Sequence, residues 1–198
     1  MPEGARDAAV EARLGIAEPA SAVHPPPGDH LIGYHASGVT SIVRALHEVP
    51  VVPDDVVIDL GAGLGKVVLL ARLLTGATAR GVELQGALVD RARAAASALG
   101  LDVAFTHADA REAELDDGTV FFLYLPFTGP VLAAVLERLH AIARRRDIVV
   151  CALGVDLDRV APWLLARKEL DTFWLSIYDT RLPGASRRAS ATTRNPLT

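Results

Sequence analysis

The run Asp59-Leu60-Gly61-Ala62-Gly63-Leu64-Gly65-Lys66 constrains this chain more than any other stretch, because it follows Val56-Val57-Ile58 and opens the apolar-periodic segment from Val67 to Leu74. This is the pattern of a buried strand, a glycine turn and a helix start. Alternate glycines let the backbone take positive φ and come closer to a ligand than any Cβ would allow, and the helix start behind them offers free N–H groups. A P-loop reading fails at Leu60, where its first glycine would stand, and at Val67, where it needs a hydroxyl residue. The dinucleotide fingerprint G-x-G-x-x-G is not met either, since Gly61, Gly63 and Gly65 give G-x-G-x-G led by Asp59.

Three further strand ends follow in register with this loop. Ala79-Arg80-Gly81-Val82 reads as a second strand closing on Glu83, where an α/β nucleotide site needs a carboxylate to accept from ribose hydroxyls. Val103-Ala104-Phe105-Thr106 is a short strand before His107-Ala108-Asp109-Ala110. Val120 to Leu125 is a nearly all-apolar strand that ends in Pro126-Phe127-Thr128-Gly129-Pro130.

Core strands are expected near 55–60, 79–83, 102–106, 119–125 and 147–153, alternating with helices near 64–75, 85–99 and 129–144. Strongly apolar strands alternating with helices predict an α/β fold: a Rossmann-like, mostly parallel, doubly wound sheet of six to seven strands with helices on both faces. An amphipathic helix is expected over 38–48, a further helix over Asp156–Arg167 and a closing strand over Thr172–Tyr178, which leaves the presence of a seventh strand open. The chain of 198 residues, 51% hydrophobic, can bury one substantial core. Residues 1–30, with Pro25-Pro26-Pro27-Gly28, read as a mobile N-terminal segment containing a weak helix, residues 31–181 as the single domain, and 182–198 as a disordered tail.

With 20 basic and 24 acidic residues, charge gives no strong nucleic-acid signal. No apolar run approaches the roughly eighteen residues of a membrane span, and Met1 to Glu18 lacks a signal-peptide core, so a cytoplasmic protein is expected. The six histidines are scattered without cysteine partners, so no metal site is expected; Cys151, alone in an apolar run, reads as a buried small hydrophobe. Arg144-Arg145-Arg146 reads as complementing a helix C-terminus.

The four strand-end features together resemble motifs I to IV of class I S-adenosylmethionine-dependent methyltransferases. Over residues 31–180 the chain is more narrowly similar to small bacterial relatives of the seven-strand lysine methyltransferases of telomeric-silencing-disruptor type, through Asp59 to Val68, Gly81-Val82-Glu83 and Phe127-Thr128-Gly129-Pro130. DNA-adenine and glutamine methyltransferases are less similar, because their Asn/Asp-Pro-Pro-Tyr/Phe is Leu125-Pro126-Phe127 here.

The resemblance implies S-adenosyl-L-methionine as cofactor and transfer to a nitrogen or oxygen acceptor, a protein lysine or a small molecule. It implies that Asp59 and Gly61 hold the methionine end, that Ala62 between the glycines is cofactor-binding, that Gly63 and Gly65 allow close approach, and that Glu83 takes the ribose. Leu84, Asp109 and Ala110 would meet the adenine. In the segment Gly33 to Gly38, similar to an N-terminal flap, Ser37 would reach the cofactor carboxylate and Tyr34 would line the methyl channel. Tyr124, at the end of the fourth strand, is the acceptor-side candidate, with Pro126 and Phe127 as an apolar collar and His35 as a candidate base. Two rivals stay open: a cofactor-binding protein of the same fold lacking catalysis, and a nicotinamide-dependent oxidoreductase, disfavoured by the glycine spacing.

Overall fold

The computed structural model describes residues 3–18, 28–124, 127–167 and 175–180. In chain order its elements are α1 (Glu3–Leu14), α2 (Val39–Glu48), β1 (Val56–Leu60), α3 (Lys66–Thr75), β2 (Thr78–Glu83) and α4 (Gly86–Ala98). They are followed by β3 (Ala104–His107), β4 (Val120–Tyr124), α5 (Gly129–Ala143), β5 (Val149–Leu153), β6 (Leu165–Ala166) and β7 (Leu175–Asp179).

Valine, isoleucine and phenylalanine dominate β1, β4 and β5 because branched and aromatic side chains fill a pleated, buried surface well. The seven strands run in the order β3-β2-β1-β4-β5-β7-β6. The first five are parallel, β7 is antiparallel to β5, and β6 to β7. Alternation along each strand serves two cores. Val57 and Phe122 pack with α2, α3 and α4 on one face, whereas Ile58, Phe121 and Leu123 pack with α5 on the other.

The order reverses between β1 and β4, whose helical crossovers leave in opposite directions. That geometry opens a crevice beyond the carboxyl ends of the two strands, the usual ligand position in an open α/β sheet. Asp59, one residue before the end of β1, and Tyr124, at the end of β4, therefore both lie near the carboxyl ends of the strands at the switch point.

The N-terminal part departs from the mobile segment expected over 1–30. Residues 3–14 form α1, which docks through Leu14 (5% exposed) and Ile16 (2% exposed) into the core shared with α2 and α3. Asp7 Oδ1 accepts from Val39 N–H at 3.1 Å and so caps α2, whose own N-cap is Gly38 and has no side chain to offer.

One expectation near the C-terminus is corrected, and the open strand count is settled at seven. Residues 156–167 are not a helix but a series of turns seated by the buried Leu157, Ala161 and Leu164. Pro162 has no N–H to continue a helical ladder, and Tyr178 Oη takes the Leu157 N–H at 3.0 Å. Leu165–Ala166 then pairs with Tyr178 and Asp179 as β6, so the sheet has seven strands, within the expected six to seven. The expectations for Leu125, Pro126 and the tail over 182–198 lie outside the described residues.

Candidate active site

The glycine loop after β1 is pinned to β2: Gly61 and Ala62 both donate their N–H to the Val82 carbonyl, at 2.8 and 3.0 Å. Gly61, Gly63 and Gly65 all have positive φ, at 85°, 53° and 81°. The space their missing side chains leave is used in an unexpected way. A Cβ at Gly63 would sit 2.4 Å from the Tyr34 ring, and one at Gly65 would sit 2.4 Å from the Phe105 ring. Gly63 and Gly65 thus admit the chain's own aromatic rings, and only Gly61 of the three lines the cavities beside the loop.

Two buried carboxylates flank this loop. Glu83 Oε2 accepts from Gly63 N–H and Oε1 from Gln85 N–H, each at 2.8 Å, which fixes the plane of the carboxylate and leaves each oxygen one further acceptor position. Asp59 is 3% exposed, and no donor among the described residues hydrogen-bonds it. Burial first, and the Glu83 charge second, push its carboxyl from 3.8 up to about 8. A buried carboxyl with no donor among the described residues suits an incoming cation, and an oriented carboxylate with spare lone pairs suits a diol. The two together fit the ammonium and ribose ends of S-adenosylmethionine.

Two cavities meet at the switch point. The larger, about 650 Å³, is bounded by Glu83, Leu84, Asp109 and Ala110 and reaches Phe127 and Val131. The smaller, about 310 Å³, is bounded by Ser37, Asp59, Ala62 and Lys66. Tyr34, His35, Gly61 and Tyr124 belong to both and form the waist between them. Segment 28–38 straps the cleft. At one end Leu31 bridges Phe127 and His30 O accepts from Thr128 N–H at 2.8 Å; at the other, Ser37 O accepts from Lys66 Nζ at 2.7 Å.

The expected site residues are therefore largely gathered here: Tyr34, Ser37, Asp59, Gly61, Ala62, Glu83, Leu84, Asp109, Ala110 and Tyr124 line one or both cavities, and Gly63 and Gly65 line neither. Asp109 is engaged in a way the sequence did not suggest. Hydrogen bonds from the Arg111 side chain, with its backbone N–H at 2.8 Å, hold the Asp109 carboxyl below the usual range. His107 Nε2 lies 3.0 Å from the Leu84 carbonyl and steadies the turn after β2. Burial, with the Glu11 and Asp59 charges nearby, pushes the Tyr34 hydroxyl up to about 12, so it stays protonated at working pH.

Lys66 and Glu11 were not foreseen. Lys66 is 4% exposed at the first position of α3, and its ammonium pairs with Glu11 of α1 as well as with Ser37 O. No local pattern announces this pair, because its members are 55 residues apart. Among the described residues no cluster of three or more His, Cys, Asp or Glu side chains could hold a metal ion, and no helix is long and apolar enough to cross a membrane.

Residues 57–146 match the family described as Methyltransferase domain. Among solved structures, an RNA methyltransferase from Salinibacter ruber in complex with S-adenosyl-L-homocysteine is 26% identical with a TM-score of 0.59, over 78% of this chain and 97% of that one. A SAM dependent methyltransferase from Aquifex aeolicus is 13% identical, TM-score 0.56, over 70% of this chain and 87% of that one. A mutant of MtNAS in complex with S-adenosylmethionine is 13% identical, TM-score 0.56, over 73% and 63%. At such identities the last two speak for the fold alone. No curated protein matches the chain.

Proposed function

We propose that this chain is a class I S-adenosylmethionine-dependent methyltransferase and that it methylates a nitrogen or oxygen acceptor entering at the aromatic waist of the cleft, with a protein lysine as the first candidate. The observation that carries this reading is the position of Tyr34 and Tyr124 on both cavities, with Phe127 beside them. An opening walled by aromatic rings suits an extended aliphatic amine, whose methylenes pack on the ring faces and whose nitrogen is desolvated as it advances. The narrower likeness to lysine methyltransferases, carried by Asp59 to Val68 and Phe127 to Pro130, supports the same class.

When bound, the cofactor supplies a methyl on a sulfonium, already activated for in-line displacement. What remains to the protein is to hold, orient and dry the site. In this reading Asp59 pairs with the amino group of the methionine end, Gly61 and Ala62 line that end, and Ser37 offers its hydroxyl there. Glu83 accepts from the ribose, and Leu84, Asp109 and Ala110 border the adenine. Gly63 and Gly65 shape the loop. The Tyr34 hydroxyl acts as a neutral donor or acceptor at the waist, because it keeps its proton up to about 12. His35 is the group there able to take a proton from an oxygen acceptor.

A second reading is favoured by one observation: the structure at 26% identity is an RNA methyltransferase, which brings an RNA nucleobase into question as acceptor. The two are separated by incubating the protein with S-adenosylmethionine carrying a labelled methyl and a cell extract, then treating the product with protease or ribonuclease. Label released by protease and recovered on lysine is the expected result. Label released by ribonuclease would replace the lysine reading with the RNA one.

A further inference from the structure

A carboxyl and an ammonium both line the smaller cavity. Asp59 borders it without a donor among the described residues, and Lys66 borders it too, buried to 4% exposure. Two of the three ammonium donors of Lys66 are spent, one on Glu11 and one on Ser37 O, and both contacts come from elements N-terminal to the sheet. The third has no acceptor among the described residues. The first backbone N–H groups of α3, where Lys66 stands, are outside the helical ladder, because the earliest intrahelical bond from this end is Leu69 N–H to Gly65 O at 2.9 Å. A buried carboxyl that can ionise against an amine, a buried ammonium and a helix N-terminus on one cavity match the headgroup of an amino acid, with the amine toward Asp59 and the carboxylate toward Lys66.

We infer that Lys66 reads the carboxylate of the cofactor's methionine end, and that Glu11 of α1 holds Lys66 in position for it. The inference rests on the cofactor assignment and deepens it by naming a specificity determinant. It also gives α1 a purpose. A lone lysine at this place could swing away along its four-carbon stem, whereas one clamped between Glu11 and the Ser37 carbonyl keeps a donor aimed at the cavity. The burial of the pair is consistent with position being its role, since a buried ion pair is weak as a source of stability.

The test compares S-adenosylhomocysteine with its decarboxylated analogue, which keeps the nucleoside, thioether and amine and lacks only the carboxylate. Binding of each is measured by calorimetry to the full chain. The parent is expected to prefer S-adenosylhomocysteine by on the order of ten- to a hundredfold, the value of a charged hydrogen bond. In Lys66→Met the preference should fall to within about twofold of unity, through loss of affinity for the carboxylate-bearing ligand alone. Because Lys66→Met leaves Glu11 buried without its partner, the double variant Lys66→Met with Glu11→Leu is measured beside it; an apolar replacement of both partners is tolerated far better than removal of one. Collapse of the preference in whichever variant melts cooperatively supports the inference. A preference that survives in a folded variant, or affinities that drop equally for both ligands, would overturn it and leave Lys66 as a staple between helices. Failure of the parent to bind either ligand would instead overturn the cofactor assignment itself.

Discussion

The Tyr34 ring lies directly on Gly63, so closely that a Cβ at that glycine would stand 2.4 Å from both Cδ2 and Cε2 of the ring. The N–H of the same glycine reaches Glu83. One residue without a side chain therefore seats the strap over the cleft and ties the loop after β1 to the end of β2.

Gly63→Ala should accordingly destabilise the protein and weaken S-adenosylhomocysteine binding. Two costs add: a φ of 53° that an L side chain tolerates poorly, and displacement of Tyr34. Together they should reach roughly 2–4 kcal/mol. In a Tyr34→Ala background the second cost disappears, so the same substitution should cost only about 1 kcal/mol. Chemical denaturation of the four proteins checks this; equal penalties in both backgrounds would mean that the glycine does not serve the ring.

Why some of this was legible and some not follows from the range of each interaction. The strands were readable because a fully buried parallel strand is a short apolar run, and Glu83 was readable because topology puts the end of β2 beside the glycine loop. The docking of α1 was not. Its Leu14 and Ile16 are too few to mark a buried face, and its polar ties, Asp7 to Val39 and Glu11 to Lys66, span 32 and 55 residues. The helix expected over 156–167 failed for a related reason. Leu157, Ala161 and Leu164 have helical spacing, yet they serve turns, because the chain must deliver Leu165 and Ala166 to the sheet edge. The glycine loop was located correctly, but what fills the space at Gly63 and Gly65 depended on rings from segments 29 residues before and 40 after.

Glu83 should separate by the variant chosen. Glu83→Ala leaves the Gly63 and Gln85 amides without acceptors and also removes the ribose acceptors, so both melting temperature and ligand affinity should fall, the latter by tenfold or more on the order of 1.5–3 kcal/mol per lost charged hydrogen bond. Glu83→Gln keeps one carbonyl acceptor and much of the fold, yet offers the ribose a single oxygen. A Gln variant that melts near the parent but binds S-adenosylhomocysteine at least several-fold more weakly is expected. Unchanged affinity in a folded Ala variant would remove Glu83 from the ribose.

Asp59 makes a prediction about pH. The folded protein keeps its proton up to about 8, whereas the unfolded chain releases it near 3.8, so between those values the folded state binds more protons and the group lowers stability as pH rises through the interval. Asp59→Asn removes this cost. Relative to the parent, the ligand-free variant should gain melting temperature progressively from about pH 5 to about pH 8 and gain no more above it. Over the same range, parent affinity for S-adenosylhomocysteine should rise, because the carboxyl must ionise to pair with the ligand's amine. A pH-independent difference between parent and variant, followed by calorimetric melting, would contradict the assignment of a raised Asp59.

Tyr124 tests the acceptor side. It stands at the last position of β4, only partly buried, touching the core below and lining both cavities above. Tyr124→Phe keeps the ring and its packing, so fold and cofactor affinity should hold while methyl transfer to the acceptor falls, since the hydroxyl at the end of this strand is gone. Tyr124→Ala also forfeits the packing of an aromatic side chain; a cost of roughly 3–5 kcal/mol is the value for a fully buried ring and an upper limit for this partly exposed one. Measuring melting temperature, S-adenosylhomocysteine affinity and labelled-methyl turnover on both variants distinguishes a chemical role from a structural one. Turnover lost in Tyr124→Phe at parental stability and affinity places the hydroxyl in the transfer step. Turnover equal to the parent in Tyr124→Phe would assign Tyr124 to packing and leave Tyr34 and His35 as the polar groups at the waist.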